Sequence, residues 1–183
     1  MIEIHSERLL IRDHLQSDLE AMHTWASDPD LMKFLTWKTS SLAETKKLLD
    51  EAINEISLRK RKKYFFAVVH KESHKIIGDI GFSIISGNKH GGLADSGFFF
   101  RKEFWGSGYA TEAFKLLIEF AFIQINLHKV IAGCDAENTA SEKVMIRSGL
   151  SKEGEFMKHF FHRGKWRDRL KYGLLKEDWI KLL

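Results

Sequence analysis

Two glycines set one residue apart constrain this chain more than any other feature. Gly106 and Gly108 follow an apolar run, Phe98-Phe99-Phe100, and a helical pattern opens straight after them, within the stretch Arg-Lys-Glu-Phe-Trp-Gly-Ser-Gly-Tyr-Ala-Thr-Glu-Ala at 101–113. A strand, a glycine turn and a helix start together make an anion site. The first helical turn leaves backbone N–H groups without partners, and glycine lets a phosphate approach them. The same spacing also occurs in ordinary turns, so a ligand reading needs further support. The P-loop pattern Gly-x-x-x-x-Gly-Lys-Ser/Thr is absent. The dinucleotide fingerprint needs Gly or Ala three residues after the second glycine, where this chain has Thr111, and it belongs in a first βαβ unit.

Periodicity around this loop predicts a mixed α/β (α+β) chain. Strands are expected at 3–13, 64–70, 76–84, 95–101, 129–135, 155–161 and 169–175, with turns at 71–73, at 163–165 and in a loop over 87–92. Helices are expected near 18–26, from Ser41, from Ala110 and over 139–147. Pro29, the chain's one proline, marks a break after the first helix. Ser41-Leu42-Ala43-Glu44 reads as a capping box, with Leu48, Leu49, Ala52, Ile53 and Ile56 at helical spacing beyond it. Gly149 stands where a helix C-cap glycine belongs. At 183 residues and 44% hydrophobic content, without repeat or linker, one domain over 1–183 is expected.

A second motif changes the weight of the glycine pair. After the predicted strand at 129–135 comes Glu137-Asn138-Thr139-Ala140-Ser141-Glu142, a helix, and Gly149-Leu150. Taken with the pattern from Glu103 to Gly108, this resembles the two signature motifs of the GCN5-related N-acetyltransferase (GNAT) superfamily, Gln/Arg-x-x-Gly-x-Gly/Ala and Glu-Asn-x-x-Ser. Trp-Gly-x-Gly-Tyr-Ala-Thr-Glu-Ala is similar to the RimJ/RimL-type branch that acetylates ribosomal-protein N-termini. The resemblance runs from Ser6-Glu7-Arg8 to Glu177-Asp178-Trp179. Glu103 and Leu150 depart from it, at positions where the superfamily usually has Gln or Arg, and Phe.

The resemblance implies the GNAT acyl-CoA N-acyltransferase fold, a mixed central sheet flanked by helices. It implies acyl transfer from acetyl-CoA to a primary amine, in a ternary complex, without a metal. Amides of Glu103, Trp105, Gly106, Ser107, Gly108, Tyr109 and Ala110 are then expected to face the diphosphate. Phe99, Phe100 and Arg101 are expected to pair with the pantetheine arm like an added strand, one of their amides facing the oxyanion. Asn138 is expected to bond the arm, with a turn or helix-cap role as its alternative. Ser141 is the candidate to protonate the sulfur, with Tyr172 as rival. Asp95 is the candidate base, short enough to act through a water, and His159 is a substitute. Trp25, Phe34 and Trp37 line the acceptor pocket or belong to the core. The acceptor is expected to be a protein N-terminus, ribosomal or other, with a polyamine or aminoglycoside as competitor. A non-catalytic acyl-CoA-binding module is the alternative from another class.

Composition adds bounds. Net charge is +4, from 29 basic and 25 acidic residues, a mild bias that suits an anionic ligand without demanding nucleic acid. The run Arg59-Lys60-Arg61-Lys62-Lys63 reads as a solvated helix end, with RNA contact as the weaker alternative. His159 and His162 sit three apart on a predicted strand and so face opposite sides, which disfavours a metal pair and leaves a structural or substrate-pocket role, with His159 counted among the pocket candidates. Cys134 lies in an apolar strand without a nucleophile motif, and a lone cysteine forms no internal disulfide. No secretion leader and no membrane-length apolar stretch is evident, so the cytoplasm is expected. Oligomeric state is not legible, and a homodimer stays open.

Overall fold

The computed structural model describes residues 1–34 and 39–183. Eight strands form one sheet: β1 (Glu3–His5), β2 (Leu9–Asp13), β3 (Lys63–His70), β4 (Lys75–Asn88), β5 (Gly91–Phe100), β6 (Lys129–Asp135), β7 (Ser151–His162) and β8 (Lys165–Leu175). Their spatial order is β1-β2-β3-β4-β5-β6-β8-β7. The helices are α1 (Leu19–Ala26), α2 (Leu42–Ile56), α3 (Tyr109–Ile123), α4 (Thr139–Arg147) and α5 (Lys176–Ile180). No helix among the described residues is long and apolar enough to cross a membrane.

Alternation along the strands assigns each side chain to a face. Leu9, Ile11, Phe66, Val68, Ile80, Phe82 and Ala94 are buried against α3, whose Phe114, Leu117, Ile118 and Phe122 are also buried. The other face carries a smaller core in which Met22, Trp25 and Ala26 of α1 meet Met32 and Leu49, with Phe99 packed against them. There α1 packs on β4 and α2 on β3. The capping box at the start of α2 forms as its spacing predicts: Ser41 Oγ accepts from the Glu44 amide at 3.3 Å, and the Ser41 amide donates to Glu44 Oε2 at 2.7 Å.

Several boundaries differ from the sequence pattern. The strand expected over 3–13 is a hairpin, because the Ser6 amide donates to Leu9 O and Ser6 Oγ accepts from the Leu9 amide, both at 3.0 Å, which closes a turn. The loop expected at 87–92 is instead the end of a ladder, with Gly87 opposite Gly92 and Asn88 opposite Gly91. The basic run lies beyond the end of α2, and it is not uniformly solvated. The Arg61 side chain is 8% exposed and pairs with the buried Asp13 carboxylate at 2.7 Å, while its guanidinium lies over the Tyr64 ring at 4.6 Å.

A second buried charge network lies beneath α1. Arg12 grips Asp18 at 2.7 and 2.9 Å, and His14 sits between Asp18 at 3.5 Å and Asp79 at 2.9 Å. Burial alone lowers the His14 pKa, but the carboxylates of Asp79 and Asp18 outweigh it and raise the imidazole to about 9. A folded-state value above the unfolded one stabilises the fold fully below the unfolded pKa, near 6.5, and that contribution disappears as pH rises through 9. The melting temperature is therefore expected to fall between pH 6.5 and 9, by an amount on the order of 2–3 kcal/mol in stability. His14→Gln is expected to flatten that fall in a thermal-unfolding series. An unchanged slope in the variant would assign the fall to other groups.

Candidate active site

The pairing of β5 with β6 is the sheet's one parallel ladder among the described residues, and it is short. It runs from Leu93 opposite Lys129 to Ser96 opposite Ala132. β4 stays with β5 as far as Phe100, and β8 stays with β6 as far as Asp135. The two strands therefore part after Ser96 and Ala132 while each remains held on its outer side. Gly97 and Gly133 are the first residues past the parting. A Cβ on Gly97 would meet nothing within 4 Å.

The glycine loop follows at the end of β5. Arg101 leads into a 3-10 turn, Lys102–Phe104, and then Gly106 and Gly108 adopt φ of +78° and +81°. In that left-handed region an L side chain costs roughly 1–2 kcal/mol. A Cβ on Gly106 would meet nothing within 4 Å, and one on Gly108 only Arg8 Nη2 at 3.8 Å. Glycine is thus required by the backbone's turning, and the space above the loop is open. Gly108 is the N-cap of α3 and supplies no side-chain acceptor to its first-turn amides. This donor set fits an anionic diphosphate.

Residues far away in sequence brace the loop. Arg8 Nε donates to Glu112 Oε2 at 2.8 Å, Arg8 Nη1 donates to Ser107 O at 3.1 Å, and the guanidinium lies 4.5 Å from the Tyr109 ring centroid. Ser6 Oγ donates to Glu112 Oε1 at 2.6 Å. Tyr109 Oη, His70 and Ser73 form a chain with contacts of 3.0 and 2.9 Å. Sequence reasoning missed these braces, although Arg8 and Glu112 stand in stretches it had noted. Trp105 Nε1 donates to Phe100 O at 2.7 Å while its ring is half exposed, and Glu103 pairs with Arg101 at 2.5 Å.

Past the parting, β6 leads into α4. Asn138 caps that helix, its Oδ1 accepting from the Ser141 amide at 3.1 Å. Its cap role is therefore present, and its Nδ2 has no partner among the described residues. Ser141 is partly exposed in the first turn. Tyr172 is buried on β8 and donates to Glu142 Oε1 at 2.6 Å, so α4 and β8 meet at this bond. Burial, and then the Glu142 carboxylate, push the phenol up to about 12. Asp95, opposite Ser83 and Ile131, lies on the sheet's other face, with Phe99 and Gly97. The candidate base and the candidate acids thus occupy opposite faces beside the parting.

The pocket candidates divide. Trp25 is 6% exposed in the smaller core and stacks on Phe99 at 4.9 Å and 5°. Of its two readings, core is the one its burial supports. Phe34 is partly buried, with Arg167 5.9 Å from its ring centroid. Trp37 lies outside the described residues. His159 is exposed on β7, beside a bulge where the ladder slips between Phe156 and Phe160. It is not brought to Asp95, because β6 and β8 stand between β5 and β7.

Residues 8–151 match the acetyltransferase (GNAT) domain family. The chain belongs to that family. It is 29% identical to the uncharacterized N-acetyltransferase YnaD of Bacillus subtilis (strain 168) over 97% of this chain and 99% of YnaD. It is 31% identical to a GNAT-family acetyltransferase from Bacillus anthracis, with a TM-score of 0.85 over 96% of this chain and 99% of that one. The fold also recurs in the ribosomal-protein-S5-alanine acetyltransferase of Vibrio fischeri, at 24% identity and TM-score 0.84, covering 98% and 99% of the two chains. It recurs again in the spermidine N-acetyltransferase of Vibrio cholerae, solved with CoA and spermine, at 20% identity and TM-score 0.83, covering 96% and 99%. This GNAT chain is accordingly an acyltransferase that uses acetyl-CoA.

Cys134 bears on how a GNAT site of this build works. Burial first, with Glu142 and Asp135 adding, pushes its thiol up to about 12. The thiol, not the nucleophilic thiolate, is therefore present at neutral pH. Cys134→Ala is expected to keep turnover within about three-fold of the parent in a thiol-release assay. Complete loss with the fold intact would indicate an acyl-enzyme.

Proposed function

We propose that this chain transfers an acetyl group from acetyl-CoA directly to the N-terminal amine of a protein or peptide. The parting of β5 from β6 at Gly97 and Gly133, directly upstream of the glycine loop, is the observation that carries the reading. The amides of Glu103 and of Gly106 to Ala110 hold the diphosphate, those of Phe104 and Trp105 being already bonded to Arg101 O and Lys102 O. The β5 edge at Phe100 aligns the pantetheine arm and offers an amide to the developing oxyanion, the Arg101 amide being bonded to Ile77 O. Bound acetyl-CoA supplies the acyl carbonyl and a thiolate leaving group. Asp95 takes the amine's proton, directly or through a water. Ser141 gives a proton to the sulfur. Tyr172 is its rival, less favoured because its phenol is held by Glu142. Asn138, already capping α4, has an Nδ2 to donate to the arm.

A lone carboxylate base suits an α-amine better than a lysine. With reference pKa values of 7.7–8.0 and 10.4, roughly one α-amine in eight is neutral at pH 7, against roughly one lysine in 2,500. The S5-alanine acetyltransferase, similar in fold, acts on a protein by its name, whereas the spermidine enzyme acts on a polyamine. Thiol release against peptides, spermidine and an aminoglycoside tests the choice. Peptides are expected to give the highest kcat/KM, and preference for either small amine would overturn it. Ser141→Ala is expected to lower kcat at least ten-fold with acetyl-CoA affinity kept. If Tyr172→Phe has that effect and Ser141→Ala does not, the proton donor is Tyr172.

A further inference from the structure

On the face that carries Asp95, β6 and β8 present Ile131, Gly133 and Asp135 opposite Gly173, Lys171 and Arg169. α1 and α2 pack on β3 and β4, leaving Gly97 exposed and Asp95, Gly133, Arg169 and Lys171 partly exposed. Arg169 stands directly across from Asp135, yet does not pair with it. Asp135 Oδ2 accepts from Arg167 Nε at 2.6 Å and its Oδ1 accepts from the Glu137 amide at 2.9 Å. Arg169 instead folds over Gly133, where a Cβ would meet its Nε at 3.2 Å and its Nη2 at 3.3 Å. The absence of a side chain at 133 gives the guanidinium its place. Neither Arg169 nor Lys171 has a carboxylate partner among the described residues. Across β7, Arg169 faces Phe156 and Lys171 faces Gly154.

Two unpaired cations beside the parting are a poor floor for a polycation and a good one for a carboxylate. A half-buried guanidinium offers a planar fork of donors that matches a carboxylate in two bonds. We propose that Arg169, supported by Lys171, binds a carboxylate on the acceptor, so that the preferred substrates are N-termini with an acidic residue next to the reacting amine. Arg169 is then a specificity-determining residue. The inference rests on the acetyltransfer reading above and narrows its substrate class.

The test compares two hexapeptides that differ only in Asp or Asn at position two, with spermidine as third acceptor. The wild-type kcat/KM is expected to be at least ten-fold higher for the Asp peptide, the difference lying in KM. Arg169→Gln is expected to reduce that ratio below two, and Arg169→Lys to retain part of it. A wild-type ratio near one, a ratio that survives Arg169→Gln, or spermidine as best acceptor would overturn the proposal. Calorimetric titration of both peptides into the CoA-saturated protein reads the same preference without turnover. Absent turnover with a ten-fold tighter Asp peptide would sink the acetyltransfer reading and keep the carboxylate site; equal binding would remove the site.

Discussion

Gly108→Trp is expected to abolish acetyl-CoA binding while leaving the fold in place. Two effects separate at this position. The first is backbone strain: φ is +81°, and any L residue there costs roughly 1–2 kcal/mol, equivalent to a melting temperature lower by roughly 2–8 °C for a chain of this size. The second is occlusion. The side chain would project into the open space above the loop, where the nearest group is Arg8 Nη2 at 3.8 Å. An indole there denies the first-turn amides of α3 to a diphosphate. Loss of affinity is expected to exceed 100-fold, about 2.8 kcal/mol. Gly108→Ala carries the strain with little of the bulk, and its affinity is expected to fall less than ten-fold. Isothermal titration with acetyl-CoA and thermal unfolding of both variants distinguish the two effects. Unchanged affinity in Gly108→Trp would place the diphosphate elsewhere.

The parts of the fold that were legible are those with local causes. β6 and α4 run over the residues their patterns predict, because alternating apolar residues end at Asp135 and an asparagine cap starts the helix. The capping box at Ser41 is a four-residue device and reads directly. The glycine loop was legible as a loop because both positive-φ positions are glycine. What stayed hidden depends on partners distant in sequence. Arg8 and Glu112 are 104 positions apart, and no periodicity links them. Arg61 looked like part of a solvated run, since nothing nearby reveals that Asp13 takes it into the interior. The separation of His159 from Asp95 was hidden, because the sequence shows a final hairpin but not that β8, its second strand, inserts next to β6 and leaves β7 at the edge. The short helix α5 escaped because five residues carry too little periodicity to register. The parting of β5 and β6 is likewise a property of pairing, since each strand separately reads as continuous.

Asp95→Asn is expected to give the largest kinetic loss, a fall in kcat of roughly 100- to 10,000-fold, the usual range for general acid–base catalysis. The substitution keeps size and hydrogen-bonding capacity and removes the negative charge, and with it the ability to take a proton. Asp95 has no ion-pair partner among the described residues, so the change does not strand a buried charge, and stability is expected to shift by less than about 0.5 kcal/mol. The pH profile then separates two roles. As a base, Asp95 lets the wild type draw on the protonated acceptor pool near neutrality. The variant depends on acceptor that is already neutral, so its residual rate is expected to rise with pH through the α-amine pKa near 7.7–8.0. A lysine-bearing acceptor, with its pKa near 10.4, is expected to lose more than an N-terminal one at pH 7. If Asp95 only anchors the ammonium form of the acceptor, the variant raises KM with kcat unchanged, because binding common to ground and transition states leaves kcat alone. Such a split would reassign Asp95 from proton acceptor to substrate anchor and send the search for the base to an ordered water held by the amides of β5.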